Sequence, residues 1–120
     1  HCGLVGSEMC IRDSKNTSQL CRELKIDKKE FFGGSMTISS LGGIGGTHFT
    51  PIINPPEVAI LGVGRTFDRL IKEKNQIVSR KILPISLSYD HRLIDGAEGA
   101  RFCVYLGKCL GKDFAFKLAV

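Results

Sequence analysis

Tryptophan is absent from these 120 residues, and proline occurs only four times and methionine twice. No apolar run approaches the roughly 20 residues needed to cross a bilayer, because glycine, proline or serine interrupts each one, so a transmembrane helix is not expected. Zinc-site spacing is missing too: the five cysteines (Cys2, Cys10, Cys21, Cys103, Cys109) form no Cys-x-x-Cys pair, and no metal is expected. The odd count, without the basic start and long apolar centre of a signal peptide, points to free thiols in a reducing compartment. Cys103 and Cys109 fall in a helical pattern and read as core fillers. With 42% hydrophobic and 24% charged residues, the composition is that of a globular protein and not of a disordered one. The length suits one domain, or a piece of one, but not two well-buried domains.

The net charge of +5 is unevenly spread. Residues 1–34 are nearly balanced, whereas residues 65–81 carry Arg65, Arg69, Lys72, Lys74, Arg80 and Lys81 against Asp68 and Glu73. A nucleic-acid surface would set aromatic or helical readout elements beside such charges, and only Phe67 is there. A solvated hairpin face is the expected reading, with a minor part in holding a phosphate-bearing small molecule as the alternative.

The first 14 residues, HCGLVGSEMCIRDS, show neither helical nor strand periodicity and are similar to translated adapter sequence. They are expected to be a non-native leader, with residues 15–120 forming the folded part. Residues 18–32 suggest a helix end, a turn and a second short helical turn. Met36-Thr37-Ile38-Ser39 reads as a short strand, and Val58-Ala59-Ile60-Leu61-Gly62-Val63-Gly64 as a central strand buried on both faces. Between them, Leu41-Gly42-Gly43-Ile44-Gly45-Gly46 is too rich in glycine for regular structure. It does not lead into a helix as a phosphate cradle must, since Pro51 and Asn54-Pro55-Pro56 follow, so close backbone approach explains the glycines better.

Residues 65–71 and 76–89 read as two strands of a hairpin joined through Lys72-Glu73-Lys74-Asn75, with Pro84 implying a bulge or an edge. A helix is expected from about 96 to 110, opened by the capping-box pattern Asp95-Gly96-Ala97-Glu98. The apolar tail, residues 114–120, is expected to dock on the core or on a neighbouring chain.

His91 falls where an alternating strand ends and a capped helix begins, a loop position on a rigid frame that suits a catalytic group. Alone it reads more readily as a surface or capping histidine, and Asp95 reads equally well as a helix N-cap.

Taken together, Asp90-His91-Arg92-Leu93-Ile94-Asp95-Gly96, GGSMTISS and INPPEVAILGVGR change that balance. From about residue 25 onward the chain resembles the catalytic domain of the dihydrolipoyl acyltransferases of the 2-oxo acid dehydrogenase complexes, matching about the C-terminal half of that domain. The segment from Gly42 to Pro51 is most similar to the members that serve the pyruvate complex.

The resemblance implies an α/β (α+β) fold of the chloramphenicol acetyltransferase type, a mixed sheet with flanking helices, present here in part. It also implies transfer of an acetyl group between a dihydrolipoyl arm, carried on a separate domain, and coenzyme A as substrate. Thioester exchange needs a thiolate, while an ordinary thiol titrates at about 8.5. A histidine side chain ordinarily titrates near ~6.5 and can act as base near neutral pH. By the resemblance His91 takes that role, Ser39 donates to the oxyanion of the tetrahedral intermediate, and Asp95 orders the loop by pairing with an arginine, for which Arg92 is the nearby candidate. No family role attaches to His48.

The resemblance further implies a homotrimer with its site between subunits, assembled into a larger core. The decarboxylase and dihydrolipoyl dehydrogenase components would join through other domains, with neither nucleic acid nor membrane as partner. The setting would be the cytoplasm in a bacterium or the mitochondrial matrix in a eukaryote. Two alternatives remain: an acyltransferase of another 2-oxo acid dehydrogenase complex, and a non-catalytic core or assembly fragment.

Overall fold

The computed structural model describes residues 4–111, so the apolar tail at 114–120 lies outside the described residues. Two compact units divide the described residues, one holding those up to Gly33 together with 109–111, the other Gly34–Lys108.

In the first unit, helix α1 (Leu4–Arg22) is followed by a 3-10 turn, Lys28–Phe31. The segment expected to lack periodic structure is therefore helical from Leu4. Hydrophobic periodicity reports a buried face, and from Cys10 to Arg22 only Thr17 and Cys21 are even half-buried. The helix has no proline to break it, but fewer than half of its residues are strong helix formers, so neither a stripe nor propensity announces it. It ends where Leu24 turns left-handed, at φ 54°, and the Lys25 amide reaches back to the Leu20 carbonyl at 3.0 Å. Asp27 then caps the 3-10 turn by accepting from the Lys29 amide, as the expected short second turn requires.

The second unit holds a three-stranded mixed sheet in the order β1 (Thr37–Ser40), β2 (Ala59–Val63), β5 (Ile85–Tyr89). Strand β2 is central, parallel to β1 and antiparallel to β5. It contributes Ala59, Ile60 and Leu61 to the buried core, as its continuous hydrophobic run predicts. A separate two-stranded sheet pairs β3 (Phe67–Glu73) with β4 (Gln76–Ile82). Lys74 and Asn75, both at positive φ, make the tight hairpin turn.

The expected hairpin partner spanning 76–89 is in fact two strands. Pro84 has no amide to give a ladder, and its carbonyl accepts instead from the Gly64 amide at 3.0 Å. The chain leaves the hairpin there and β5 crosses to β2. The glycine-rich segment from Leu41 folds back over the end of β2: a Cβ on Gly64 would stand 2.1 Å from the Thr47 carbonyl oxygen, so only glycine permits that approach.

Helix α2 (Gly96–Cys109) closes the unit, within one residue of the expected span. The architecture is α+β with a mixed sheet, as the sequence implies.

Candidate active site

Strand β5 is held to β2 through Tyr89, which pairs with Ala59, and one residue later the Asp90 amide donates to the Val58 carbonyl at 2.8 Å. From that anchor the chain turns sharply. The amides of Leu93 and Ile94 both return to the Asp90 carbonyl at 3.0 Å, and the Arg92 amide donates to the Asp90 carboxylate at 3.0 Å. This Asx-type turn carries His91 outward at its crest. Asp95 then ends the turn by accepting from the Glu98 amide at 2.7 Å, the N-cap of α2 that the capping-box pattern predicts.

Arg92 does not reach Asp95. Its guanidinium grips Asp90, Nη2 at 2.7 Å and Nε at 3.0 Å and 3.2 Å from the two carboxylate oxygens. Asp95 is already engaged by the Glu98 amide, whereas Asp90 lies two residues back inside the same turn and offers both oxygens. The Arg92 hydrogen bonds, side chain first and then backbone, hold the Asp90 carboxyl down at about 2, and the same pair raises Arg92. The expected arginine partner of Asp95 thus belongs to Asp90.

His91 is exposed and opens on a depression of about 550 Å³ whose walls include Pro55, Pro56, Glu57, Tyr89, Arg92 and Leu93. Neither imidazole nitrogen has a hydrogen-bond partner among the described residues, and the ring contact is Tyr89, 5.8 Å between centroids. Both nitrogens are therefore free of hydrogen bonds within the described chain. A larger groove, about 620 Å³ beside Cys10, Ser14, Lys15 and Arg22, is the flank of one helix and gathers no comparable set of groups.

Glu57, which sequence reasoning passed over, accepts from the Thr37 hydroxyl at the start of β1 and so ties that strand to a wall of the depression. Its signal was weak, since a glutamate after two prolines reads as an ordinary loop residue.

Ser39 lies on β1, half-buried and without a hydrogen-bond partner for its hydroxyl among the described residues. The sheet register sets its place. Ser39 pairs with Gly62, three positions along β2 from Ala59, and Ala59 pairs with Tyr89 on the far strand. At about 3.3 Å per residue and about 4.8 Å between strands, Ser39 and Tyr89 are roughly 14 Å apart. His91 lies in the turn beyond Tyr89. The fold therefore brings His91 and Asp95 into one turn but sets Ser39 toward the opposite end of the sheet. His48 sits exposed in the glycine-rich loop. Among the described residues no group of His, Cys, Asp and Glu could hold a metal ion.

Residues 8–115 match the family model of the 2-oxoacid dehydrogenases acyltransferase catalytic domain. The dihydrolipoyllysine-residue acetyltransferase component of the pyruvate dehydrogenase complex of Haemophilus influenzae is 52% identical over 99 residues, covering 82% of this chain and 18% of that protein. Among solved structures, the dihydrolipoamide acetyltransferase of Azotobacter vinelandii superposes with a TM-score of 0.81 at 45% identity, covering 87% of this chain and 43% of that one. The cubic core of the pyruvate dehydrogenase multienzyme complex gives 0.80 at 44% identity, with the same two coverages. The chain thus spans less than half the length of each of these relatives.

The Azotobacter structure was studied for the role of a serine, a histidine and an asparagine in the catalytic mechanism, the histidine 52 positions after the serine and the asparagine four positions further on. Ser39, His91 and Asp95 repeat those two separations. With the fold, the motifs and the matched length in agreement, this chain belongs to the family of 2-oxoacid dehydrogenase acyltransferase catalytic domains.

Proposed function

We propose that this chain is part of the acetyltransferase of a pyruvate dehydrogenase complex, moving an acetyl group from a dihydrolipoyl thiol to the thiol of coenzyme A. The observation that carries the reading is the Ser39, His91, Asp95 spacing, set on a turn that presents an unengaged imidazole beside a depression. His91 removes the proton from the coenzyme A thiol, and the thiolate attacks the acetyl carbonyl. The tetrahedral oxyanion accepts a hydrogen bond from the Ser39 hydroxyl, a type of contact worth roughly 3 kcal/mol to a transition state. Collapse expels the dihydrolipoyl thiolate, which takes its proton back from the imidazolium.

A base and an oxyanion donor must both stand about 3 Å from the reacting atoms. Ser39 and His91 of one copy are too far apart for that, so the working site pairs His91 of one copy with Ser39 of another. A trimer, assembled into a larger core in a bacterial cytoplasm, supplies that pairing. Asp95 keeps the turn in place through the helix cap.

The reading is tested by measuring acetyl transfer from acetyl-coenzyme A to dihydrolipoamide with this sequence in its complete enzyme. His91→Ala is expected to lower kcat by roughly 10²-fold to 10⁴-fold, the usual contribution of a general base. A rate close to that of the unaltered enzyme would remove His91 from the mechanism.

A further inference from the structure

We propose that Tyr89 is a positioning residue for the His91 imidazole and that Gly99 is the clearance that lets the tyrosine ring stand there. The inference rests on the reading of His91 as the base, and it adds two residues to the machinery around it.

His91 sits on the crest of a turn, exposed, with neither ring nitrogen bonded within the described chain. A histidine so placed would sample several rotamers, and a base that wanders loses the near-attack geometry on which its rate depends. Its ring contact among the described residues is Tyr89, at 5.8 Å between centroids and tilted by 38°, inside the range of a favourable aromatic pair. Tyr89 itself does not drift. Its backbone is the last rung of the β2 to β5 ladder, opposite Ala59 in the buried centre of the sheet.

The tyrosine ring also lies against α2. Gly99 is the buried residue of that helix, and a Cβ there would stand 2.8 Å from Tyr89 Cε1 and 3.1 Å from Cζ. Gly96, one turn earlier, leaves 3.8 Å to the hydroxyl. The aromatic ring thus lies close to bare helix backbone and also pairs with the imidazole. Glycine inside a helix is unfavourable relative to alanine, so its presence at position 99 needs a local reason, and the tyrosine ring provides one. The Tyr89 hydroxyl has no hydrogen-bond partner among the described residues, which assigns the positioning to the ring and not to the oxygen.

The test reads His91 directly in the complete enzyme, labelled with ¹³C at its histidine rings. In ¹H–¹³C spectra of the imidazole, assigned against His91→Gln, the tyrosine ring current displaces the His91 signals. Tyr89→Leu is expected to abolish that displacement and Tyr89→Phe to retain it. Gly99→Ala, which improves helix propensity while pressing a methyl group into the ring, is expected to change it without loss of helix by circular dichroism. In the complete enzyme, Tyr89→Leu and Gly99→Ala are expected to lower kcat by roughly 10-fold to 100-fold with KM for coenzyme A little changed, and Tyr89→Phe to recover most of the loss. His91 signals indifferent to both Tyr89→Leu and Gly99→Ala would overturn the proposal. If His91→Ala kept its rate while the spectra responded as stated, the positioning would stand and the general-base reading would fall.

Discussion

Among single residues the Asp90–Arg92 pair makes the turn most sensitive to acid. Its distances are those of a two-pronged guanidinium–carboxylate contact, yet Arg92 is almost fully exposed, so the pair shapes the turn more than it stabilises the fold. The sign of its pH dependence follows from the Asp90 carboxyl, which sits at about 2 against an ordinary 3.8. A depressed carboxyl contributes in full above its unfolded value and is lost as pH falls through its folded one. The turn should therefore keep its form down to about pH 4 and loosen on the way to about pH 2. Amide signals of Arg92 and Leu93 followed by NMR should titrate with a midpoint near 2, and Arg92→Ala should move that midpoint up toward 3.8. His91 was legible from its motif, and Asp95 from the four-residue pattern that opens a helix. The partner of Arg92 was not, because two carboxylates flank it within three positions and only the turn geometry decides which one it meets.

Helix α2 shows what sequence periodicity reads well and α1 what it misses. Residues 97, 100 and 104 recur at helical spacing behind an N-cap signal, and the observed helix opens at the predicted cap. Helix α1 has no such stripe to display and its residues are of mixed helix propensity, so no local signal marks its start. The division of residues 76–89 was legible only in part. Pro84 marked a break, but which sheet β5 would join depends on the long-range pairing with β2, which no local pattern encodes.

The cap itself can be measured. Asp95→Ala should lower stability by about 1 kcal/mol in chemical denaturation, as loss of an N-cap does. Asp95→Asn should cost less: an amide oxygen caps as well as a carboxylate, and only the interaction of the charge with the helix dipole, about 0.3–1 kcal/mol, is surrendered. The asparagine four residues after the histidine in the Azotobacter relative is compatible with that arithmetic. Equal losses in the two variants would mean that the charge, not the cap, holds the turn.

For the molecule as a whole, the sheet register is the governing fact, because it separates two groups that the proposed chemistry needs together. Ser39 belongs to the strand on one edge and His91 to a turn leaving the opposite edge at the other end, and no side-chain rotation spans roughly 14 Å. The described chain also leaves Ile38, Ile44, Ile52, Leu70 and Ile77 exposed while the apolar side chains it buries are only Ala59, Ile60, Leu61, Pro51 and Pro84, so it has apolar surface for further polypeptide to cover. If the site forms between copies, two inactive variants should repair each other. A subunit carrying Ser39→Ala retains its histidine, and one carrying His91→Ala retains its serine. Co-expressed in equal amounts, they should leave about a quarter of the interfaces with an intact pair, since each interface draws one group from each of two subunits. Acetyl transfer in the mixed assembly should then exceed the mean of the two separate variants by a comparable share of the unaltered rate. Activity no greater than that mean, in assemblies shown by mass spectrometry to be mixed, would require Ser39 and His91 to act from the same chain, which the register of the sheet forbids, or Ser39 to have no part in the reaction.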